Sequence, residues 1–131
     1  KLIRESKGRK IIFSSSDDEL NRKVLEKEAI SMLLVNQKAR KDRQKQRNSG
    51  FNQVLAKLAK KKSVVIGINI DEILRASEEE KAEILARVRQ NVKLCNKNKL
   101  KMAFFPELKD RYDLKALGLS LGMPTWMVKD L

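Results

Sequence analysis

The sequence predicts an α/β chain of about four β/α units on a mostly parallel sheet, half the complement of an eight-stranded barrel. Three observations predict it. Short apolar runs bounded by turn or capping residues recur along the chain. Segments with apolar residues at helical spacing lie between them. Residues 63–70, Ser-Val-Val-Ile-Gly-Ile-Asn-Ile, are apolar on both faces, as a strand inside a parallel sheet must be,. The 131 residues are a single domain in size, and 41% apolar content suffices for a core,.

Residues 11–13, Ile-Ile-Phe, form a short β-prone run that ends in three serines. Ser16 stands three residues before Glu19, the spacing of a capping box, so a helix is expected from about Asp17 with Leu20, Val24 and Leu25 inward. Residues 30–35 are an apolar run with Ser31 its one polar member and read as a buried strand. Residues 37–49 carry Lys38, Arg40, Lys41, Arg43, Lys45 and Arg47 against one acid, Asp42, and read as a basic loop,. Phe51, Val54, Leu55 and Leu58 recur at offsets of three and four, one stripe of a helix that ends in Lys60, Lys61 and Lys62, where cations suit the negative end of the dipole.

After the strand at 63–70, Asp71 is placed to cap a short turn through Ile73 and Leu74. Gly67 inside that strand implies close packing of a neighbour. Ser77 and Glu80 form a second capping box, opening a helix with Ala82, Leu85, Val88, Val92 and Cys95 inward that ends near Asn98. Residues 100–105 give a fourth strand, stopped by Pro106. Leu114, Leu117, Leu119 and Leu121 predict a further helix before Gly122 and Pro124, with a closing turn at 125–131. In that turn Trp126 and Met127 are either an exposed partner anchor or a plug over one end of the sheet. Four strands cannot close a barrel, so the sheet stays open or has its edge covered by a terminal segment or another chain.

Composition excludes much chemistry. The chain has no histidine and one cysteine, so a His-based triad, a Cys/His zinc site and a Cys-His nucleophile cannot be built from it. With Trp126, Tyr112 and four Phe as its aromatics, it lacks the stacking platform of an RRM or OB fold. Glu78, Glu79 and Glu80 read as a helix start, because consecutive helical residues point in different directions and acids there stabilise the dipole. Asp17 and Asp18 read the same way, and Asp110 and Asp113 are turn and cap residues. No second acidic cluster completes a two-metal site, and no metal ligand is assigned. No apolar stretch approaches the ~18 residues of a membrane span. Residues 1–10 are charged, without the apolar region of an export signal, and the missing initiator Met points to a trimmed start. The lone cysteine, expected in the core, suits a reducing, cytoplasmic location.

The balance of 30 Lys+Arg against 17 Asp+Glu, a formal charge of +13, favours a polyanionic partner. The loop follows a strand on the C-terminal edge of the sheet, where α/β folds place their binding sites. Six phosphate contacts from it give log K against log salt a slope of roughly −4 to −5.

Residues 49–61, Ser-Gly-Phe-Asn-Gln-Val-Leu-Ala-Lys-Leu-Ala-Lys-Lys, followed at once by a strand, resemble a Gly-[IF]-[DN]-x-Val-Leu-Ala-[KR]-x-Ala helix of the archaeal and eukaryotic ribonuclease P protein component 3 (thirty-kilodalton subunit) family. The similarity continues through the Ile73-Leu74 turn and the long helix, and residues 117–123, Leu-Gly-Leu-Ser-Leu-Gly-Met, resemble that family's closing Leu-[AG]-x-x-Leu-Gly-Met. It covers about residues 11–123. Two departures stand out. Family members are usually much longer and form a full barrel. Where they often carry Ser-Ser-[AD]-Ala and Arg-x-Pro-x-Asp-Leu, this chain has Phe104-Phe105-Pro106-Glu107 and Arg111-Tyr112-Asp113-Leu114; Arg111 and Asp113 match the second motif, and the strand end does not match the first.

The resemblance implies a truncated TIM-barrel-like fold and a non-catalytic RNA-binding subunit of ribonuclease P. In that family the RNA performs Mg²⁺-dependent removal of the 5′ leader from precursor tRNA, so Mg²⁺ belongs to the RNA and the protein binds no cofactor. A second small protein subunit is the implied partner, in a heterodimer or heterotetramer, with precursor tRNA contacted indirectly. The expected RNA contacts are Lys38, Arg40, Lys41, Arg43, Lys45 and Arg47, with Lys60, Lys61, Lys62 and Arg111 secondary, each to phosphate. The alternatives are a metal-dependent phosphoesterase on a related barrel and a general RNA- or ribosome-associated protein.

Overall fold

The computed structural model describes residues 2–4 in their backbone, together with 10–38, 40, 48–106, 111–129 and 131. Among the described residues eleven elements follow one another: β1 (Leu2–Arg4), β2 (Ile11–Ser14), α1 (Asp18–Lys27), β3 (Met32–Val35), α2 (Gln53–Lys62), β4 (Val65–Asn69), α3 (Ile70–Arg75), α4 (Glu78–Lys97), β5 (Met102–Phe105), α5 (Arg111–Ser120) and α6 (Thr125–Val128). The four strands read from the sequence are β2 to β5. β1 was not anticipated: three residues among charged neighbours carry too little periodicity to register as a strand.

The sheet runs in chain order, β1-β2-β3-β4-β5. β2 to β5 are parallel. β1 lies antiparallel on β2, with Leu2 opposite Phe13 and Arg4 opposite Ile11, so a terminal segment covers that edge. Alternation along the strands sorts the side chains into two faces. Phe13, Leu33, Ile66 and Met102 stand in one register row, and with Val35, Ile68 and Phe104 they join Leu25, Leu55, Ala59, Val88, Val92, Cys95 and Leu114 of the helices in one core. On the opposite face Met32, Val65, Ala103 and Phe105 are half-buried. Parallel strands in chain order, with their helices packed on one face, form the singly wound arrangement of a barrel, here as four β/α units.

Caps set the element boundaries, and two differ from expectation. Asp17, not Ser16, caps α1: its Oδ1 accepts from the amides of Glu19 and Leu20 at 3.0 and 3.2 Å. Ser15 Oγ in turn accepts from the Asp17 amide at 2.9 Å. Asn69, not Asp71, caps α3, accepting from Asp71 N at 3.1 Å and Glu72 N at 3.4 Å. The Ser77–Glu80 capping box opens α4 as expected. Ser63 closes α2 in the left-handed region at φ 55°, donating its amide back to the last turn of the helix.

Helical stripes were legible to within a residue or two. α2 buries Leu55, Ala56 and Ala59 and leaves Val54 exposed. α4 buries Ile84, Val88, Val92 and Cys95, while Ala82 is exposed and Leu85 half-buried. Leu20 of α1 and Leu119 of α5 are exposed, correcting the stripes expected for those two helices. In each case the apolar face is wider than the core contact, so its margin turns to water. Gly67 is needed for packing: a Cβ there would meet Met32 Sδ at 2.7 Å and Leu34 Cδ1 at 3.0 Å. Met127 is fully buried, and half-buried Trp126 donates Nε1–H to Asn96 Oδ1 of α4 at 3.1 Å, so the pair packs on the helical layer and is not an exposed anchor.

Candidate nucleic-acid interface

The segment joining β3 to α2 leaves the C-terminal end of the parallel sheet. A polar ladder spans that end: Asn69 Nδ2 donates to Asn36 Oδ1 at 2.8 Å, and Asn36 Nδ2 donates to Ser14 Oγ at 2.7 Å. Since Asn69 Oδ1 also caps α3, the ends of β2, β3 and β4 are fixed relative to one another before the basic segment begins.

Four groups then hold the described parts of that segment. Glu72 accepts from the Gln37 amide at 2.7 Å and from the Lys38 amide at 3.0 Å, one on each carboxylate oxygen. Arg87, buried on α4, donates Nη1–H to the Gln37 carbonyl at 3.2 Å and Nη2–H to the Arg40 carbonyl at 2.9 Å. Gln37 Nε2 and Asn91 Nδ2 converge on the Ser49 carbonyl at 2.7 and 3.2 Å. Asp18, at the start of α1, takes the Arg40 guanidinium in a two-pronged pair, Nη1 to Oδ2 and Nη2 to Oδ1, both at 2.9 Å.

Arg40 has further partners. Its Nε donates to the Asn36 carbonyl at 2.6 Å, and Nη1 reaches Asn48 Oδ1 at 3.3 Å. Gly50 lies against it at φ +72°, where an added Cβ would sit 2.3 Å from Arg40 Nη2. The Arg40 side chain is 8% exposed against 43% for Asp18. Paired this way, a guanidinium is among the stronger hydrogen-bonding arrangements available to a protein. Beside it a cleft of about 400 Å³ opens between the N-termini of α1 and α2, lined by Asp18, Arg22, Asn48, Asn52 and Gln90 among others.

The sequence-expected contacts therefore separate. Lys38 is exposed at the C-terminal end of the sheet. Arg40, expected among the phosphate-contacting cations, instead turns its guanidinium inward onto Asp18. Lys41, Arg43, Lys45 and Arg47 lie outside the described residues. Arg111 opens α5, which follows β5 and so starts at the same end as the loop; its side chain lies outside the description. Lys60, Lys61 and Lys62 are exposed at the end of α2, which leads into the start of β4, the opposite end of the sheet. Two of them rest on backbone: Lys60 Nζ donates to the Lys99 carbonyl at 3.0 Å and Lys62 Nζ to the Glu26 carbonyl. The cations read as one set thus occupy two poles.

Sequence reasoning did not single out Asp18, Glu72, Arg87 or Asn91 as part of this site. For the last two a signal existed: Arg87 and Asn91 stand four apart among Ile84, Val88 and Cys95 on one helical face, and polar groups inside an apolar stripe need buried partners. Burial pushes the Cys95 thiol up to about 12, which keeps it in the protonated, weakly nucleophilic form at neutral pH. Among the described residues no three Cys, Asp or Glu side chains gather closely enough to hold a metal ion. No described helix is long and apolar enough to cross a membrane.

Fold and site together define a partial β/α barrel whose basic segment is anchored at the C-terminal ends of the strands. Comparison with known proteins gives the class a particular likeness, to ribonuclease P protein component 3. The proteins of that name from Methanococcus maripaludis strains C7 and C6 are each 26% identical over 108 residues, 82% of this chain and 44% of theirs. A chain in the cryo-EM structure of archaeal ribonuclease P with mature tRNA superposes with a TM-score of 0.76 at 27% identity, over 90% of this chain and 51% of that one. The chain thus spans about half the length of the relatives it matches. No family model matches it. The resemblance read from residues 49–61 and 117–123 is met in both sequence and structure.

Proposed function

We propose that this chain is a non-catalytic RNA-binding subunit of ribonuclease P, supporting RNA-catalysed removal of 5′ leaders from precursor tRNA. The observation that carries the reading is a basic segment held at the C-terminal end of a β/α sheet similar to a chain of archaeal ribonuclease P. Lys38, Lys41, Arg43, Lys45 and Arg47 are the cations offered to the phosphate backbone, with Arg111 at the same end. Lys60, Lys61 and Lys62 serve a separate stretch of RNA. Contacts of this kind position RNA without reading its sequence.

In this reading the Mg²⁺ that cleavage needs is bound by the RNA, a second small protein subunit completes the protein side in a heterodimer or heterotetramer, and precursor tRNA is reached through the ribonucleoprotein. The phosphoesterase alternative calls for a cluster of metal ligands, which the described residues do not provide. Reconstitution with an archaeal ribonuclease P RNA tests the proposal. Cleavage of precursor tRNA should rise when the chain is added at limiting Mg²⁺, and the chain alone should cleave nothing. Unchanged cleavage, or turnover by the isolated chain, overturns it.

A further inference from the structure

We infer that Arg40 is a positioning residue, locked by Asp18 into a latch that closes the basic segment, and not one of its phosphate contacts. The inference rests on the proposed RNA-binding role, and it divides six cations that look equivalent in sequence into five ligands and one fastener.

The contacts of Arg40 reach three places at once: Asp18 at the start of α1, the Asn36 carbonyl at the end of β3, and Asn48 at the far end of the segment. One side chain thus joins the described residues on either side of positions 41–47. Arg87 and Glu72 hold the near end by its backbone, and the Ser49 carbonyl, gripped twice, holds the far end. A loop whose ends are already joined pays its closure entropy on folding and not again when RNA arrives. A phosphate contact by Arg40 would have to break a two-pronged carboxylate pair and draw out a guanidinium that is 8% exposed, which an exposed lysine such as Lys38 need not do. Gly50 fits the same account, since any side chain there would displace the guanidinium.

The latch makes a prediction opposite in sign to simple electrostatics. Asp18→Asn removes a negative charge and should tighten RNA binding if charge alone matters. As half of the latch, it should weaken binding about tenfold. Arg40→Gln should weaken binding to a similar degree with the slope of log K against log salt unchanged, because the phosphate contacts are all still made. Arg40→Lys should behave like Arg40→Gln, since an ammonium cannot form two parallel bonds. The double variant Asp18→Asn/Arg40→Gln should be little worse than either single one.

The experiment titrates an archaeal ribonuclease P RNA transcript with each variant over a range of salt, taking competent fraction from the plateau and Kd from the midpoint. Amide hydrogen exchange of residues 36–40 and 48–50 is followed without RNA. The latch requires exchange there to quicken about tenfold in Asp18→Asn and Arg40→Gln while α4 stays protected. Unchanged exchange overturns it whether or not RNA binds. A slope that flattens by roughly 0.7–0.9 in Arg40→Gln, near-normal binding by Arg40→Lys, or tighter binding by Asp18→Asn makes Arg40 a direct ligand and overturns it as well. If the unaltered chain binds the RNA without salt dependence, the functional reading falls, and the exchange result still decides the latch.

Discussion

Replacing Arg87 with Met tests how much the buried guanidinium contributes to joining α4 to the basic segment. Arg87 is 3% exposed, so Met preserves most of the packed stem and removes the charge. Two charge-assisted bonds are lost, to the Gln37 and Arg40 carbonyls, each worth about 1.5–3 kcal/mol. The gross loss is therefore about 3–6 kcal/mol. Two effects reduce it: a charge no longer has to be taken out of water, and the half-buried Arg40 carbonyl regains hydration. The buried Gln37 carbonyl does not. The ion pair with Glu83 adds little, since its 3.8 Å separation involves a carboxylate that is 65% exposed,. A net destabilisation of about 2–4 kcal/mol follows, which lowers Tm by roughly 6–12 °C in a domain of this size. Urea unfolding of Arg87→Met beside Arg89→Met, an exposed position on the same helix, gives the comparison. The Arg89 variant should stay within about 0.5 kcal/mol of the parent. Equal midpoints for the two variants refute the argument that Arg87 ties the helix to the segment.

Other positions give independent checks. Gly50→Ala forces a side chain into the left-handed region at φ +72° and against Arg40, and should cost about 1–2 kcal/mol in urea unfolding. Asp17→Ala should destabilise by about 1 kcal/mol while Ser16→Ala is neutral, because the cap is Asp17; the reverse order restores the sequence-based assignment. The Cys95 thiol, raised to about 12 by burial, should resist alkylation in the native state at pH 8 and react on unfolding. Its folded-state pKa lies above the unfolded one, so its contribution is complete below about 9 and is lost as pH climbs toward 12,. Cys95→Ala should flatten that part of the stability profile, as read by denaturation midpoints across the range.

Most of the architecture was legible because its signals are local. The apolar run around β4, the capping box at Ser77 and the lysines closing α2 each belong to a few neighbouring residues. What the sequence left open depends on neighbours far along the chain. Whether Val54 or Ala56 faces inward is decided by how the helix is rotated onto the sheet, and spacing alone bounds that rotation only to about one residue. β1 is a strand because β2 offers it an edge, a fact absent from residues 2–4 themselves. The site shows the same division. The density of positive charge between β3 and α2 is plain in composition, yet the different place of Arg40 is not, since its partner Asp18 lies 22 residues away and reads locally as a helix-start acid. Arg87 and Asn91 are legible as polar interruptions of an apolar face, though their partners at Gln37, Arg40 and Ser49 are not.

For the proposed RNA-binding role, the split of basic residues between the two ends of the strands sets how long an RNA must be to meet both. Strands of four or five residues at roughly 3.3 Å per residue separate the ends by about 15 Å. An RNA that engages only the loop end releases counterions there alone, and five contacts give it a slope of roughly −3.5 to −4.5. A longer or folded RNA that also reaches the Lys61 end releases ions at both, so the slope steepens with length and measures the footprint.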